Sequence, residues 1–464
     1  MPAEDWDEYN LDKQVIRHLI MQHMQCWPRM EKLKRYYTGR HDILQEEDRE
    51  NKLVCNHAKD ISDTASSYFI GNAVTYNSKG DITPLTDSLD HAGADETDGD
   101  NGLDTSIYGR AYEYIYTKKD DTELVTKNLS PKHTFVVYDD SIEENELFGV
   151  YYYIKHDATN RQPDRYIATI LTQNFKYVLN ILDEEGPQEV TESGEPHYKG
   201  EVPIIEYLNN KLAIGDYELQ IPLIDAYNAL MSDRVTDKEQ FIDAILAIYG
   251  TLLSDEEEEE NENQETGAMK QLKKQKYMEL PDGSKAEYLT RTFDENGVEV
   301  LKKAIEQDIH KFSHVPCMTD ESFGGNVSGV AMEFKLLGLE NITKIKTRYY
   351  KKGLRKRLRI FANWLNTKST IAIDVSTITP VFTRALPKNL LEISQIVANL
   401  WGKVSRKTLL SQVPFVDDVD EELKALEKEE EENIKRQQVM FGYQNDPPEE
   451  EPPADPEEKE VDDE

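Results

Sequence analysis

From Asn341 to Ile373 this chain has no Asp or Glu, yet Lys344, Lys346, Arg348, Lys351, Lys352, Arg355, Lys356, Arg357, Arg359 and Lys368 all fall there. The chain as a whole has 90 acids against 54 bases, a formal charge of -36. A long basic segment free of acids is an exception in such a chain and needs a reason. Phe334, Leu337, Ile342, Ile345 and Tyr349 recur at helical spacing, and Leu354, Leu358, Phe361 and Leu365 continue the stripe after a phase shift at Gly353. The pattern predicts a long helix over 330–365, bent near Gly353. A glycine-rich loop feeds it: Thr319, Asp320, Glu321, Ser322, Phe323, Gly324, Gly325, Asn326, Val327, Ser328 and Gly329.

That loop is half of a phosphate-binding motif. Gly324 and Gly329 have the spacing of a P-loop, but Val330-Ala331 stands where Lys-Ser/Thr must follow. Without that ammonium and hydroxyl nothing in the motif holds the terminal phosphates or Mg²⁺, which argues against nucleotide hydrolysis here. The cations of the helix fit two partners, DNA phosphates or acidic surfaces of neighbouring subunits. The surplus of carboxylates favours the second. The same surplus argues against general affinity for nucleic acid, which needs clustered cations and counterion release.

A chain of 464 residues with 38% hydrophobic and 31% charged residues suits a soluble protein of more than one domain or subdomain. Cys26, Cys55 and Cys317 are far apart and odd in number, which points to a reducing compartment. The acidic N-terminus does not read as a signal peptide, and no stretch reads as a membrane span. His310, His314 and Cys317 have the spacing of partial zinc ligation but lack a fourth ligand nearby, and read as helix-end residues. No nucleophile motif groups a Ser, His and Asp, so no catalytic residue, metal or cofactor is expected.

Periodicity lays out the rest. Helices are expected over 11–37, interrupted at Pro28 and capped at Gly39, and over 56–70, stopped by Gly71. Residues 83–105, with Asp95, Asp98, Asp100 and Asp104, lack an EF-hand's spacing and read as a solvated helix-to-loop region. Period-two alternation from Gly109 to Ile154, continued at 166–171 and 175–179, predicts one sheet in which the tyrosines are packing residues. A helix over 217–247 leads into Glu256–Glu260, read as a mobile solvated loop, and into a basic cluster of Lys270, Lys273, Lys274 and Lys276. Pro281-Asp282-Gly283 reads as a turn between short strands, and 297–313 as a returning helix. Strands at 371–384, helices at 387–437 and a disordered acidic tail complete an α+β chain.

Several stretches carry a resemblance: Tyr36-Tyr37-Thr38-Gly39-Arg40-His41-Asp42-Ile43-Leu44, Asn51-Lys52-Leu53-Val54, Tyr68-Phe69-Ile70-Gly71-Asn72-Ala73-Val74, Gly109-Arg110-Ala111-Tyr112-Glu113, and Gly329 to Leu358. In this order, with the helix–module–helix–loop–long-helix layout, residues 30–430 resemble the phage portal proteins of the SPP1 type. The resemblance implies a portal-protein fold with an N-terminal wing over 1–217, a stem helix over 218–247, a small α/β clip over 248–296 and a second stem helix over 297–318. It implies a tunnel loop at 319–329, the wing's long helix and strands at 330–386, a helical crown at 387–440 and an acidic tail at 441–464. It further implies a ring homo-oligomer, a dodecamer in the virion, set at one capsid vertex and assembled in the host cytoplasm. Double-stranded DNA would pass through it. Its other implied partners are the terminase large subunit, the head–tail connector and the major capsid and scaffolding proteins, with no membrane. The competing function, a nucleotide-driven packaging enzyme or nuclease, is weakened by the missing Lys-Ser/Thr.

Overall fold

The computed structural model describes residues 1–2, 6–9, 11–119, 121–155, 165–180, 188–189, 194–242, 245–249, 285–289, 295–318, 329–368, 373–384, 390–410, 413, 416 and 419–442. Helix α1 (Lys13–Met24) opens on Asp12, whose carboxylate accepts from the amides of Gln14 and Val15. Pro28 stands in the first turn of α2 (Trp27–Tyr37), where its missing N–H leaves no bond unmade. The helix closes with the Arg40 amide donating to Arg35 O at 2.7 Å and the Gly39 amide to Tyr36 O at 3.2 Å. Helix α3 (His57–Ile70) is capped by Asn56 and ends at Gly71.

Residues 83–105 correct the sequence expectation. They form α4 (Thr83–His91) and α5 (Ala94–Tyr108), and α5 is a core helix rather than a solvated loop. Thr97, Asp98, Asn101, Gly102, Thr105 and Ser106 are all buried. A Cβ on Gly102 would lie 2.3 Å from Ile70 Cγ2, so α5 reaches α3 only because it has none there. Small side chains that read as solvent-seeking are here the condition for close helix packing.

The strands between Gly109 and Asn180 fall where the alternation predicted, Ile204–Leu208 adds one that was not expected, and together they form two main sheets instead of one. Strands β2 (Arg110–Thr117), β3 (Leu124–Leu129) and β10 (Ile204–Leu208) form one antiparallel sheet in the order β10-β2-β3. Strands β4 (Thr134–Tyr138), β5 (Glu146–Lys155), β6 (Arg165–Leu171), β7 (Phe175–Asn180) and the short β8 (Gln188–Glu189) follow one another in the second, with β9 (Glu195–Pro196) also on β7. The chain turns between Leu129 and Thr134, and β4 takes β5 as its partner instead of β3. Tyr112, Leu129, Leu171 and Ile204 fill the space between the sheets. The tyrosines are packing residues, as expected: the Tyr152 hydroxyl, for example, accepts from Trp27 Nε1 at 2.9 Å and donates to Lys132 O at 3.2 Å.

Helix α6 (Ile221–Ile242) ends before the expected 247, because Ile245–Tyr249 is a strand, β11. It pairs antiparallel with β12 (Lys285–Leu289), after which α7 (Glu295–Ser313) returns. Helix α8 (Gly329–Lys335) is separated from α9 (Leu337–Lys368) at Leu336. Strand β13 (Thr379–Val381) closes a two-stranded sheet with β1 (Thr75–Asn77). Residues Met1–Asn326 and Met332–Ala385 form one compact unit. A second takes Val327–Ala331 and Leu386–Glu464. It contains α10 (Leu390–Leu400), α11 (Arg406–Leu410) and α12 (Val419–Gly442), with Arg406 paired to Glu430 at 2.7 Å. No helix among the described residues is long and apolar enough to cross a membrane.

Asp104 on α5 accepts from Asn128 Nδ2 at 3.0 Å. Burial nevertheless pushes its carboxyl from 3.8 up to about 7. The folded chain therefore holds a proton that the unfolded chain releases. The associated stability is complete below 3.8 and is lost as pH rises through about 7. Asp104→Asn needs no proton, so its stability relative to the parent should rise steadily from about pH 4 to about pH 8. Urea midpoints across that range check this, and a difference independent of pH would contradict it.

Candidate functional site: the clamped long helix and the helix pair before it

The acid-free segment is α9, and its inner face explains the missing acids. Thr343, Lys346, Tyr350, Gly353, Leu354, Arg357 and Phe361 are buried at helical spacing. Arg357 is fully buried. Its Nη1 and Nη2 donate to the two oxygens of Asp98 at 2.8 and 2.6 Å. Its Nε donates to both oxygens of Glu113 at 2.9 and 3.0 Å, and Nη2 to Glu113 Oε2 at 2.9 Å. The Tyr350 hydroxyl donates to Asp98 at 2.6 Å and the Tyr207 hydroxyl to Glu113 at 2.5 Å. One guanidinium thus joins α9, α5, β2 and β10. Burial pushes the Glu113 carboxyl up, opposed by Arg357, and pushes both tyrosine hydroxyls well up.

Two further cations on α9 are spent inside the chain. Lys346 pairs with Asp216, and both side chains are buried. Lys356 pairs with Glu146 and donates to Ile204 O at 2.8 Å. Burial lowers the Lys356 ammonium, with Glu146 acting against that shift. The expectation that Lys346, Lys356 and Arg357 face DNA or neighbouring subunits is therefore corrected. They lie on the buried side of the helix, where each needs a carboxylate from its own chain. The helix runs through Gly353 unbroken, and the glycine admits a neighbouring ring. A Cβ there would lie 2.4 Å from the Tyr207 ring, which stacks on Tyr350 at 4.3 Å. The interruption in the long helical region is at Leu336.

The outer face keeps Lys344, Arg348, Lys352, Arg355 and Arg359, a row of cations extending about 22 Å. Lys344 lies 3.7 Å from Glu340, and Arg359 pairs with Glu201 at 2.5 Å. Among the described residues no carboxylate pairs with Arg348, Lys352 or Arg355. Lys351 lies over the Phe382 ring, and Lys368 pairs with Glu123 at 2.7 Å.

Helices α6 and α7 run antiparallel. His57 lies against both Tyr227 and His310 near one end, while Arg234 pairs with Glu299 at 2.9 Å and Lys238 pairs with Glu295 farther along. The paired strands β11 and β12 join the two helices at that farther end. Residues 49–55 are strapped along α6. The Cys55 amide donates to Asn228 Oδ1 at 2.8 Å, the Leu53 amide to Ser232 Oγ at 2.9 Å, and Asn51 Nδ2 to Thr236 Oγ1 at 3.2 Å. Arg49 pairs with Asp233. Asn228 Nδ2 also donates to His41 Nδ1 at 2.8 Å, and His41 Nε2 donates to Tyr36 O at 3.0 Å. His310, as expected, belongs to a helix end, with Nδ1 at 3.0 Å from Val315 O.

Sequence reasoning missed Asp98, Glu113, Glu146, Asp216 and Asn228. One signal was present: Arg357 falls inside the apolar stripe of Leu354, Leu358 and Phe361, and a cation there demands buried acids. Other expectations lie outside the described residues. These are Thr319 to Ser328 of the tunnel loop, the basic cluster Lys270, Lys273, Lys274 and Lys276, Glu256–Glu260, the turn at Pro281 and the tail from residue 443. Of the loop, Gly329 is the first residue of α8.

The described residues thus form a clamped long helix and a helix pair with a small sheet at its end. The family model described as phage portal protein, SPP1 Gp6-like, matches residues 16–436. The portal protein of Bacillus phage SPP1 is 24% identical over 426 residues, 87% of this chain and 81% of that protein. The portal protein of Clostridium phage phiCD119 is 22% identical over 450 residues, 89% of this chain and 94% of that one. The chain belongs to the SPP1 Gp6-like family of phage portal proteins.

Removing Arg357 strands two buried carboxylates, so Arg357→Leu should cost about 3–5 kcal/mol, whereas Arg348→Ala on the outer face should stay within about 0.5 kcal/mol. Denaturant melts of the two variants check this, and equal midpoints would refute the clamp. Gly353→Ala should also destabilise, by about 1–3 kcal/mol, because the added methyl displaces Tyr207. A rise in melting temperature would show that helix propensity outweighs the clash.

Proposed function

We propose that copies of this chain close into a ring, dodecameric in the virion, at one vertex of a phage capsid. Double-stranded DNA enters and later leaves through the opening. The role is structural, not enzymatic. The observation that carries this reading is the antiparallel pair α6–α7, which projects the β11–β12 sheet at its end, within a chain whose relatives are portal proteins.

In this reading α6 and α7 are the stem. The module over 248–296, with Lys270, Lys273, Lys274 and Lys276, is the clip that receives the terminase large subunit during packaging and the head–tail connector afterwards. The major capsid and scaffolding proteins meet the ring within the shell. Residues Thr319 to Gly329 form the tunnel loop, whose glycines permit conformational change as DNA moves past. A surplus of 36 negative charges suits a channel that must not hold DNA, because strong phosphate contacts would trap it in one register. The outward cations Lys344, Arg348, Lys352, Arg355 and Arg359 meet carboxylates of the adjacent copy and help set its register.

Deleting Phe323–Gly329 should leave rings intact by electron microscopy and abolish DNA filling of the capsid. Normal filling would remove the loop's assigned role. Reversing Arg348, Lys352 and Arg355 to Glu should impair ring formation most at low salt, where exposed charges are least screened. Unchanged rings with altered DNA passage would assign those cations to phosphate contact.

A further inference from the structure

Three parts of the first unit meet in an open groove of about 430 Å³: the chain after β10, the C-terminal end of α7 and the N-terminal half of α9. Its lining includes Leu212, Leu219, Phe312, Ile345 and Tyr349. Four of these are left in water, Leu212 at 73%, Leu219 at 69%, Phe312 at 55% and Ile345 at 45% relative exposure. Single exposed apolar residues need no explanation, but several converging on one concave site mark an interaction surface. The groove is held in shape from beneath, since Asp216 in its lining pairs with the buried Lys346 of α9.

Its border is positive. Lys211 lines it, Lys311 lies 5.1 Å from the Phe312 ring centroid, and Lys344 and Arg348 adjoin Ile345 and Tyr349 on α9. Among the described residues only Asp308, 3.9 Å from Lys311, and Glu340, 3.7 Å from Lys344, pair with this group. An apolar groove with a basic border selects an acidic partner that offers apolar side chains. This chain has that composition, with 36 more acids than bases and with Val300 at 69% and Leu301 at 50% exposure on α7. Those two residues lie about 17 Å along α7 from Phe312, so the surface offered and the surface receiving are separate. A contact between two different patches of the same chain repeats head to tail and can close into a ring.

We propose that this groove receives a second copy of the chain, with Phe312 and Leu219 at the centre of the contact and Lys211 and Arg348 at its edge. The assignment rests on the ring reading above and names the surface that forms the ring. In the test, Phe312→Glu and Leu219→Glu are made in the full chain and compared with the parent by native mass spectrometry and electron microscopy. The expected result is rings from the parent and at least a tenfold loss of rings from each variant, with thermal melting unchanged. Arg348→Glu should weaken assembly at low salt and lose its effect at high salt. Rings of normal yield from both Glu variants would overturn the groove assignment and leave the ring reading standing. A parent chain that stays monomeric at every concentration would overturn both. If a variant fails to fold, amide exchange of the parent decides. Slower exchange over 210–220 in the ring than in dissociated subunits supports the contact, and equal exchange overturns it.

Discussion

A guanidinium can be hidden from water only where acceptors meet its N–H groups and negative charge meets its own. Arg357 satisfies both needs with two carboxylates, Asp98 and Glu113, and each of these takes a further hydroxyl from Tyr350 or Tyr207. The contributing elements come from three separate stretches of the chain: α5 with the adjoining β2, then β10, then α9. The long helix cannot settle until α5 and the β2–β10 pair are in place, and those elements cannot bury two acids without the helix. Replacing such a cluster by apolar residues can leave stability unchanged, so its value is in specifying one arrangement, whereas losing a single member is costly.

That cluster also divides the cations of α9 by face. Every buried cation on the helix meets an acid of its own chain, and of the four that remain without one among the described residues, Arg348, Lys352 and Arg355 share the outer face while Lys351 lies over the Phe382 ring. The acid-free composition has a cause on the inner face, which takes its acids from other elements.

Much of the architecture was legible in the sequence because hydrophobic period carries it: α3 between Asn56 and Gly71, the alternating strands, the helix that leaves and the helix that returns. The failures have physical causes. Helix α5 was misread because Asp and Gly mark solvent in most chains, while here Asp98 pairs with a buried cation and Gly102 permits contact with Ile70. The two sheets were read as one because alternation reports that a strand exists, not which strand it joins. The phase shift at Gly353 marked the position but not the Tyr207 ring that packs against it, because sequence period does not say which side chain a glycine admits. The inner clamp of α9 was out of reach, since its acids lie more than a hundred residues away in sequence, apart from the hint of an arginine within an apolar stripe.

The strap along α6 has a mechanical consequence. Its bonds, from Tyr36 at Asp225 through Cys55 and Leu53 at Asn228 and Ser232 to Asn51 at Thr236, are spread over about three turns of one helix. A force directed along the helix axis loads them side by side. It does not open them one after another, as a pull across the axis would. The first helix of the pair is thus fastened to the body in shear, so a thrust delivered at the β11–β12 end passes into α2 and the segment before α3 without first peeling the helix away.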